Sequence, residues 1–251
     1  MNDLSGKTTI VVGASRGLGR GIATAFAEAG APVVAVSRTP AGFPEPAGGA
    51  GAIRPEVADA ADATVPARLF DRYQPHAVIV VAGATPHMRP LAQQTWESFS
   101  VNWHADVKIT FHWLREALLT PLAPGSTVVV VSSGVALNPN GSPLSGGYAG
   151  AKASQRFITA YARDESDLAG LGITFTTVLP RFAPATGVGR PAIRAYAARA
   201  GLSVDEFLRQ ADYELLTPEL AGAALLGLAQ ADAAGVAAAY LLTGAGLQEL
   251  P

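Results

Sequence analysis

The chain contains no cysteine, which removes disulfides, thiolate nucleophiles and cysteine-based metal sites from consideration. Its four histidines, His76, His87, His104 and His112, show no ligand spacing such as H-x-x-x-H, so the sequence predicts no metal site. Charge is sparse and balanced: 15% of residues are charged, the net charge is −2 and the pI is near 6.1. Such a surface offers no electrostatic footprint for nucleic acid or an anionic membrane. The longest apolar runs, such as "AVIVVAGA" at 77–84, are far too short to span a bilayer. The opening "MNDLSGKTTIVVGAS" lacks the charged and apolar regions of a signal peptide, and the expectation is a soluble cytoplasmic protein.

What is abundant is small and apolar. At 251 residues and 49% hydrophobic composition, the chain can bury one sizeable core and is read as a single domain. Short β-branched runs recur at 8–13, 32–37, 77–83, 126–133 and 173–179. They are nearly continuous in apolar character, as strands buried on both faces should be. Helical patterns lie between most of them. Leu18, Ile22, Ala25, Phe26 and Ala29 form one stripe over 17–29. From Thr95, an expected N-cap, Trp96, Phe99, Trp103, Val107, Phe111, Leu114 and Leu118 recur every three or four residues. Strand–helix alternation predicts an α/β fold, a doubly wound parallel sheet with helices on both faces.

Two stretches break the rhythm. Residues 39–51, "TPAGFPEPAGGAG", read as a loop where a crossover helix would be expected. Residues 181–217 predict two helices broken at Gly201, the second capped by Ser203, and form an expected substrate lid beyond the carboxyl end of a strand. A static contact or ordinary packing is the other reading of this segment.

The chemistry begins in "VVGASRGLGRG", where Gly13, Gly17 and Gly19 join a strand to a helix. Small residues there permit a tight turn and backbone approach to a pyrophosphate, and the helix N-terminus offers free N–H groups to the phosphates. Ser15 and Leu18 lie within the same loop. After the second strand, where an acidic residue would bind the ribose 2′-OH of NAD, stand Ser37 and Arg38, and Arg16 lies in the glycine loop. Two guanidiniums suit a 2′-phosphate, so NADP(H) is expected over NAD(H). Further on, "SPLSGGYAGAKASQRF" presents Tyr148 and Lys152 about one helical turn apart on one face. A nearby ammonium favours a phenolate, so this pair is expected to be a general acid/base with a lowered phenol pKa.

Taken in order, Gly13/Gly17/Gly19, Ala82–Gly83, Asn102, Ser132–Ser133 and Tyr148-x-x-x-Lys152 resemble the motifs of the short-chain dehydrogenase/reductase family. The resemblance implies a Rossmann-type fold and hydride transfer between NADP(H) and a small-molecule carbonyl or alcohol. It implies a catalytic set of Asn102, Ser133, Tyr148 and Lys152. In it Ser133 orients the carbonyl, Asn102 supports a water-linked proton relay, and Lys152 also bonds the nicotinamide ribose. Glu56–Val57, Ala82–Gly83 and Pro180 are implied cofactor contacts, and a homodimer or homotetramer is the implied assembly. Ser133 lies fifteen residues before Tyr148, two more than is usual in the family, so Ser132 stays an alternative.

The departures are specific. Val12 replaces the usual first Thr, "VVAG" the usual Asn-Asn-Ala-Gly, Glu56 an Asp, and Arg181 the Gly after Pro180. Arg181 suggests a substrate carrying a carboxylate or other anionic group. His87 and Met88 are either pocket-lining or surface residues, and Trp96, Trp103 and Trp113 either interface anchors or core. The leading expectation is an NADPH-dependent carbonyl reductase. The alternative is a non-catalytic NADP(H)-binding sensor or interaction protein. An epimerase or dehydratase on nucleotide sugars finds little room after the sixth core strand.

Overall fold

The computed structural model describes residues 3–43, 51–138, 142–184, 186–210 and 214–251. Its strands are β1 (Thr9–Val12), β2 (Val33–Ser37), β3 (Ile53–Val57), β4 (Ala77–Val80), β5 (Thr127–Val131), β6 (Thr174–Pro180), β7 (Ala239–Thr243) and β8 (Gly246–Leu250). They form one sheet in the order β3-β2-β1-β4-β5-β6-β7-β8, parallel throughout except for the antiparallel β7–β8 pair. The expected α/β fold, a doubly wound Rossmann-type sheet, is the one observed.

Period-two alternation explains why the central strands are apolar on both faces. Val11, Ala35, Ile79 and Val129 face one layer, built on α1 (Gly17–Glu28) and α8 (Pro218–Gln230). Ile10, Val12, Val36, Val78, Val80 and Val130 face the other layer, with α2 (Thr64–Tyr73), α4 (Lys108–Leu119) and α5 (Gly146–Leu168). Trp113 of α4 fills that second layer, fully buried, edge-on to Phe70 and donating through Nε1 to the Ala60 carbonyl at 3.1 Å. It is core; Trp96 and Trp103 are exposed.

The strand order reverses between β1 and β4, and the register sets Val12 level with Val36 of β2 on one side and Val80 of β4 on the other. The chain therefore leaves all three strands at one edge, where an open α/β sheet places its ligand cleft.

The helical run from Thr95 is not continuous. Thr95 caps α3 (Trp96–Asn102) in a reciprocal box with Ser98, but Trp103–Val107 then forms a π-helical turn before α4. The second irregular stretch behaves as expected: α6 (Gly189–Ala200) ends at Gly201 with φ 70°, and Ser203 caps α7 (Val204–Arg209) with Glu206. Residues 39–43 and 51 carry no helix. Residues 44–50, residues 139–141 of the loop before α5, and residues 185 and 211–213 of the second stretch lie outside the described residues.

Candidate active site

The loop after β1 is built by close approach. Gly13 has φ 95°, and a Cβ there would stand 2.7 Å from Ala82 Cα; a Cβ on Gly19 would stand 2.2 Å from the Gly13 carbonyl oxygen. Neither position admits another residue without moving backbone. Arg16, the N-cap of α1, makes no side-chain cap, so the first-turn N–H groups are not claimed by it.

This loop opens into a cleft of about 1020 Å³. Of the expected residues, Gly13, Ser15, Arg16, Gly17, Leu18, Gly19, Ser37, Arg38, Ala82, Gly83, Ser133, Tyr148, Lys152 and Pro180 line it. Small groups against a helix N-terminus fit the pyrophosphate of a dinucleotide, and two exposed guanidiniums stand beside them.

Glu56 and Val57, expected as cofactor contacts, are not among the residues that line the cleft. Glu56 is turned toward α2, where its carboxylate accepts from Arg68 at 2.9 Å and from the Tyr73 hydroxyl at 3.1 Å, with Arg72 at 3.9 Å. Burial would raise its pKa, but Arg68, Tyr73 and Arg72 hold it below the usual carboxylate value. Val57 is exposed; the stretch just beyond the strand, Ala58 to Ala61 and including Asp59, lines the cleft instead.

At the other end of the cleft three side chains converge. Tyr148, in the first turns of α5, has Lys152 Nζ 5.5 Å from its ring centroid and a hydrogen bond with the Ser133 hydroxyl. The neighbouring serines both border the cleft but part company: Ser132 is buried and donates to the Lys152 carbonyl at 2.7 Å, whereas Ser133 is half-buried and caps the short helix that follows. Burial pushes the Tyr148 phenol above its ordinary value and outweighs the pull of Lys152 and Ser133. This reverses the expected direction, because a half-enclosed phenol loses more hydration on ionising than one ammonium restores.

Asn102 stands behind the cleft wall rather than in it. Its Nδ2 donates to the Ala84 carbonyl at 2.8 Å and to Asp106 Oδ1 at 3.2 Å, so it reaches Lys152 only through Asp106. Asp106, Gln155 and Tyr196 were not among the expected residues. Asp106 lies 3.1 Å from Lys152 Nζ, and Gln155 Oε1 accepts from the same ammonium at 2.7 Å. Tyr196 of α6 bonds Ser145 at 2.8 Å and also touches Ser142. Met88 lines the cleft and His87 does not. No group of three or more potential metal ligands occurs among the described residues, and no helix among them is long and apolar enough to cross a membrane.

Comparison with known proteins bears on family and fold. D-erythrulose reductase of Gallus gallus is 33% identical over 136 residues, which are 52% of this chain and 55% of that protein. A short-chain type dehydrogenase/reductase of Picea abies is 33% identical over 196 residues, 70% of each chain. The chain thus spans about half the length of the sugar reductase it matches. A Beutenbergia cavernae protein solved with NADP bound at low occupancy superimposes with a TM-score of 0.75 over 96% of each chain at 23% identity, a likeness of fold. The family model of short chain dehydrogenases matches residues 7–192, and the chain belongs to that family.

Proposed function

We propose that the chain reduces a ketone or aldehyde carbonyl to an alcohol, reversibly, with NADPH as hydride donor and Tyr148 as general acid. The observation that carries this reading is the convergence of Ser133 and Lys152 on Tyr148 in the wall of the cleft that the glycine loop opens. The bound cofactor supplies the hydride; the chain supplies the rest. Gly13, Gly17, Gly19 and the N-terminus of α1 hold the pyrophosphate, and Arg16 and Arg38 grip the 2′-phosphate that distinguishes NADPH. Ser133 holds the carbonyl oxygen against the Tyr148 hydroxyl. The raised phenol pKa keeps Tyr148 protonated at neutral pH, as a proton donor must be, and Lys152 favours the phenolate left behind.

Phe182, Tyr196 and Phe207, from the described parts of the 181–217 segment, line one end of the cleft, which supports reading that segment as a substrate lid. Arg181, exposed at the cleft, selects a substrate bearing an anionic group. Trp103 and Phe157 stand exposed on neighbouring helical segments, around a groove of about 420 Å³ that also takes in Val107 and Ile158. An apolar face of this kind supports a homodimer or homotetramer.

The test is loss of NADPH absorbance with purified protein against ketones, aldehydes and β-ketoacyl esters, with small keto sugars included because a relative reduces one. Turnover is expected, and Tyr148→Phe should lower it by about 100-fold or more. Tight NADPH binding without turnover on any carbonyl would overturn the reductase reading in favour of a sensor.

A further inference from the structure

Beneath Tyr148 and Ser133 lies a buried polar layer in which Lys152 and Asp106 border the cleft and Asn102 and Gln155 stand behind them. The Lys152 ammonium, 4% exposed, donates to Asp106 Oδ2 at 3.1 Å, Gln155 Oε1 at 2.7 Å and the Val131 carbonyl at 3.4 Å. An ammonium has three N–H donors, and all three are engaged by the protein. Asp106, 1% exposed, is gripped as firmly: its Oδ1 accepts from the Ala84 N–H at 2.8 Å and from Asn102 Nδ2 at 3.2 Å. A Cβ on Gly83 would fall 2.7 Å from Asp106 Oδ2, so glycine makes room for the carboxylate. Gln155, wholly buried, ties the layer to the π-helical turn by donating to the Asp106 carbonyl at 3.2 Å and to Thr110 Oγ1 at 2.6 Å.

A buried carboxylate and a buried ammonium each tolerate their position only because the other is there. We propose that Asp106 is a positioning residue for the reaction: it fixes the Lys152 ammonium behind Tyr148 and, by cancelling part of that ammonium's field, sets the pH at which Tyr148 releases its proton. The proposal rests on Tyr148 being the acid/base. Tyr148 and Lys152 face this point from α5, Asp106 and His104 belong to the π-helical turn, and Tyr196 approaches from α6; Arg16, Arg38, Asp59 and Arg181 line the cleft further round. Beyond burial, Lys152 and Ser133 draw the phenol's pKa down, while Asp106 and Tyr196 push it up.

Asp106→Asn keeps the shape and an acceptor for Ala84 while removing the charge. The midpoint of the pH profile of kcat/KM for alcohol oxidation should fall by about one unit or more, and Asp106→Glu should restore it toward the wild-type value. The tyrosinate absorbance of each protein, less that of its Tyr148→Phe counterpart, should show the same fall without needing turnover. Absence of turnover on every substrate would therefore count against the reductase reading and leave the titration to decide the role of Asp106. An unchanged midpoint in Asp106→Asn overturns the proposal. Should that variant fail to fold, the double variant Asp106→Asn/Lys152→Met should regain the wild-type melting transition; a double variant that stays unfolded overturns the proposal as well.

Discussion

Ser132 and Ser133 are adjacent, chemically identical and placed to do opposite things, so changing each to alanine separates stability from turnover. The Ser132 hydroxyl is buried and spans from β5 to the Lys152 carbonyl of α5 at 2.7 Å. Losing it removes one neutral hydrogen bond, worth about 1 kcal/mol. That carbonyl lies inside α5 and keeps its helical partner, which holds the cost near that figure. For a domain of this size about 1 kcal/mol corresponds to roughly 2–4 °C in melting temperature. Turnover should change little, because α5 remains pinned through Gln155 to Thr110 and through Lys152 to Asp106.

The Ser133 hydroxyl has much less to lose in the fold. Its bond from the Val135 N–H is long at 3.4 Å, and it is half-buried on the cleft side. Ser133→Ala should leave melting within about 1 kcal/mol of wild type, yet lower kcat/KM by about 100-fold or more, the scale of removing a donor from a developing oxyanion. Thermal melts followed by circular dichroism, paired with NADPH oxidation, read both effects on the same preparations. The reasoning is refuted if Ser132→Ala abolishes turnover with an unchanged melt while Ser133→Ala stays active.

Arg38→Asp puts a carboxylate where a 2′-phosphate would sit, and NADPH affinity measured by tryptophan fluorescence should fall at least about 10-fold while NADH affinity holds or rises; equal losses would place Arg38 outside cofactor choice. Glu56→Gln should leave NADPH affinity alone but flatten the acid limb of stability. The Glu56 pKa is lowered in the folded protein, so its stabilising effect is present above the ordinary glutamate value near 4.5 and is lost as pH falls through the folded value; urea midpoints from neutral pH to pH 3 would show it, and an identical acid limb would refute it. Arg181→Gly should lower kcat/KM for acidic ketones by about 10-fold relative to matched neutral ones, and equal losses on both would remove Arg181 from substrate choice.

How much of this could be read in advance follows burial. β1, β2, β4, β5 and β6 have neighbours on both sides and helices on both faces, so nearly every residue is buried and the β-branched, largely apolar runs stand out. β3 is an edge strand reading "IRPEV", mostly exposed, with Pro55 tolerated there, and β8 closes a hairpin with polar residues on its open side. Neither leaves the continuous signal that a two-sided strand does. The partners of Glu56 were hidden for a related reason: Arg68, Arg72 and Tyr73 lie on α2, twelve to seventeen residues further on, and nothing local announces them. The glycine loop and the Tyr148–Lys152 pair were legible because their geometry is local, fixed within a single loop or helical turn.

Asp106 was hidden by a pattern that looked regular. The apolar stripe runs through Trp103 and Val107 into α4 without a visible break, and an acidic residue between them looks like solvated surface. The π-helical turn instead carries Asp106 inward beside Asn102. Its presence there makes sense of the two amides missing from the end of β4. Val80 is buried in the α4 layer and Val81 packs against the α1 layer, so neither side chain can brace the chain leaving the sheet. That segment is held from the other direction: Ala84 donates its N–H to Asp106 and accepts Asn102 Nδ2 at its carbonyl. The bracing comes from the π-helical region rather than from the strand, and the same Asp106 that holds Ala84 lies 3.1 Å from Lys152. Support for this loop and the charge beside the proposed acid/base pair therefore rest on one carboxylate.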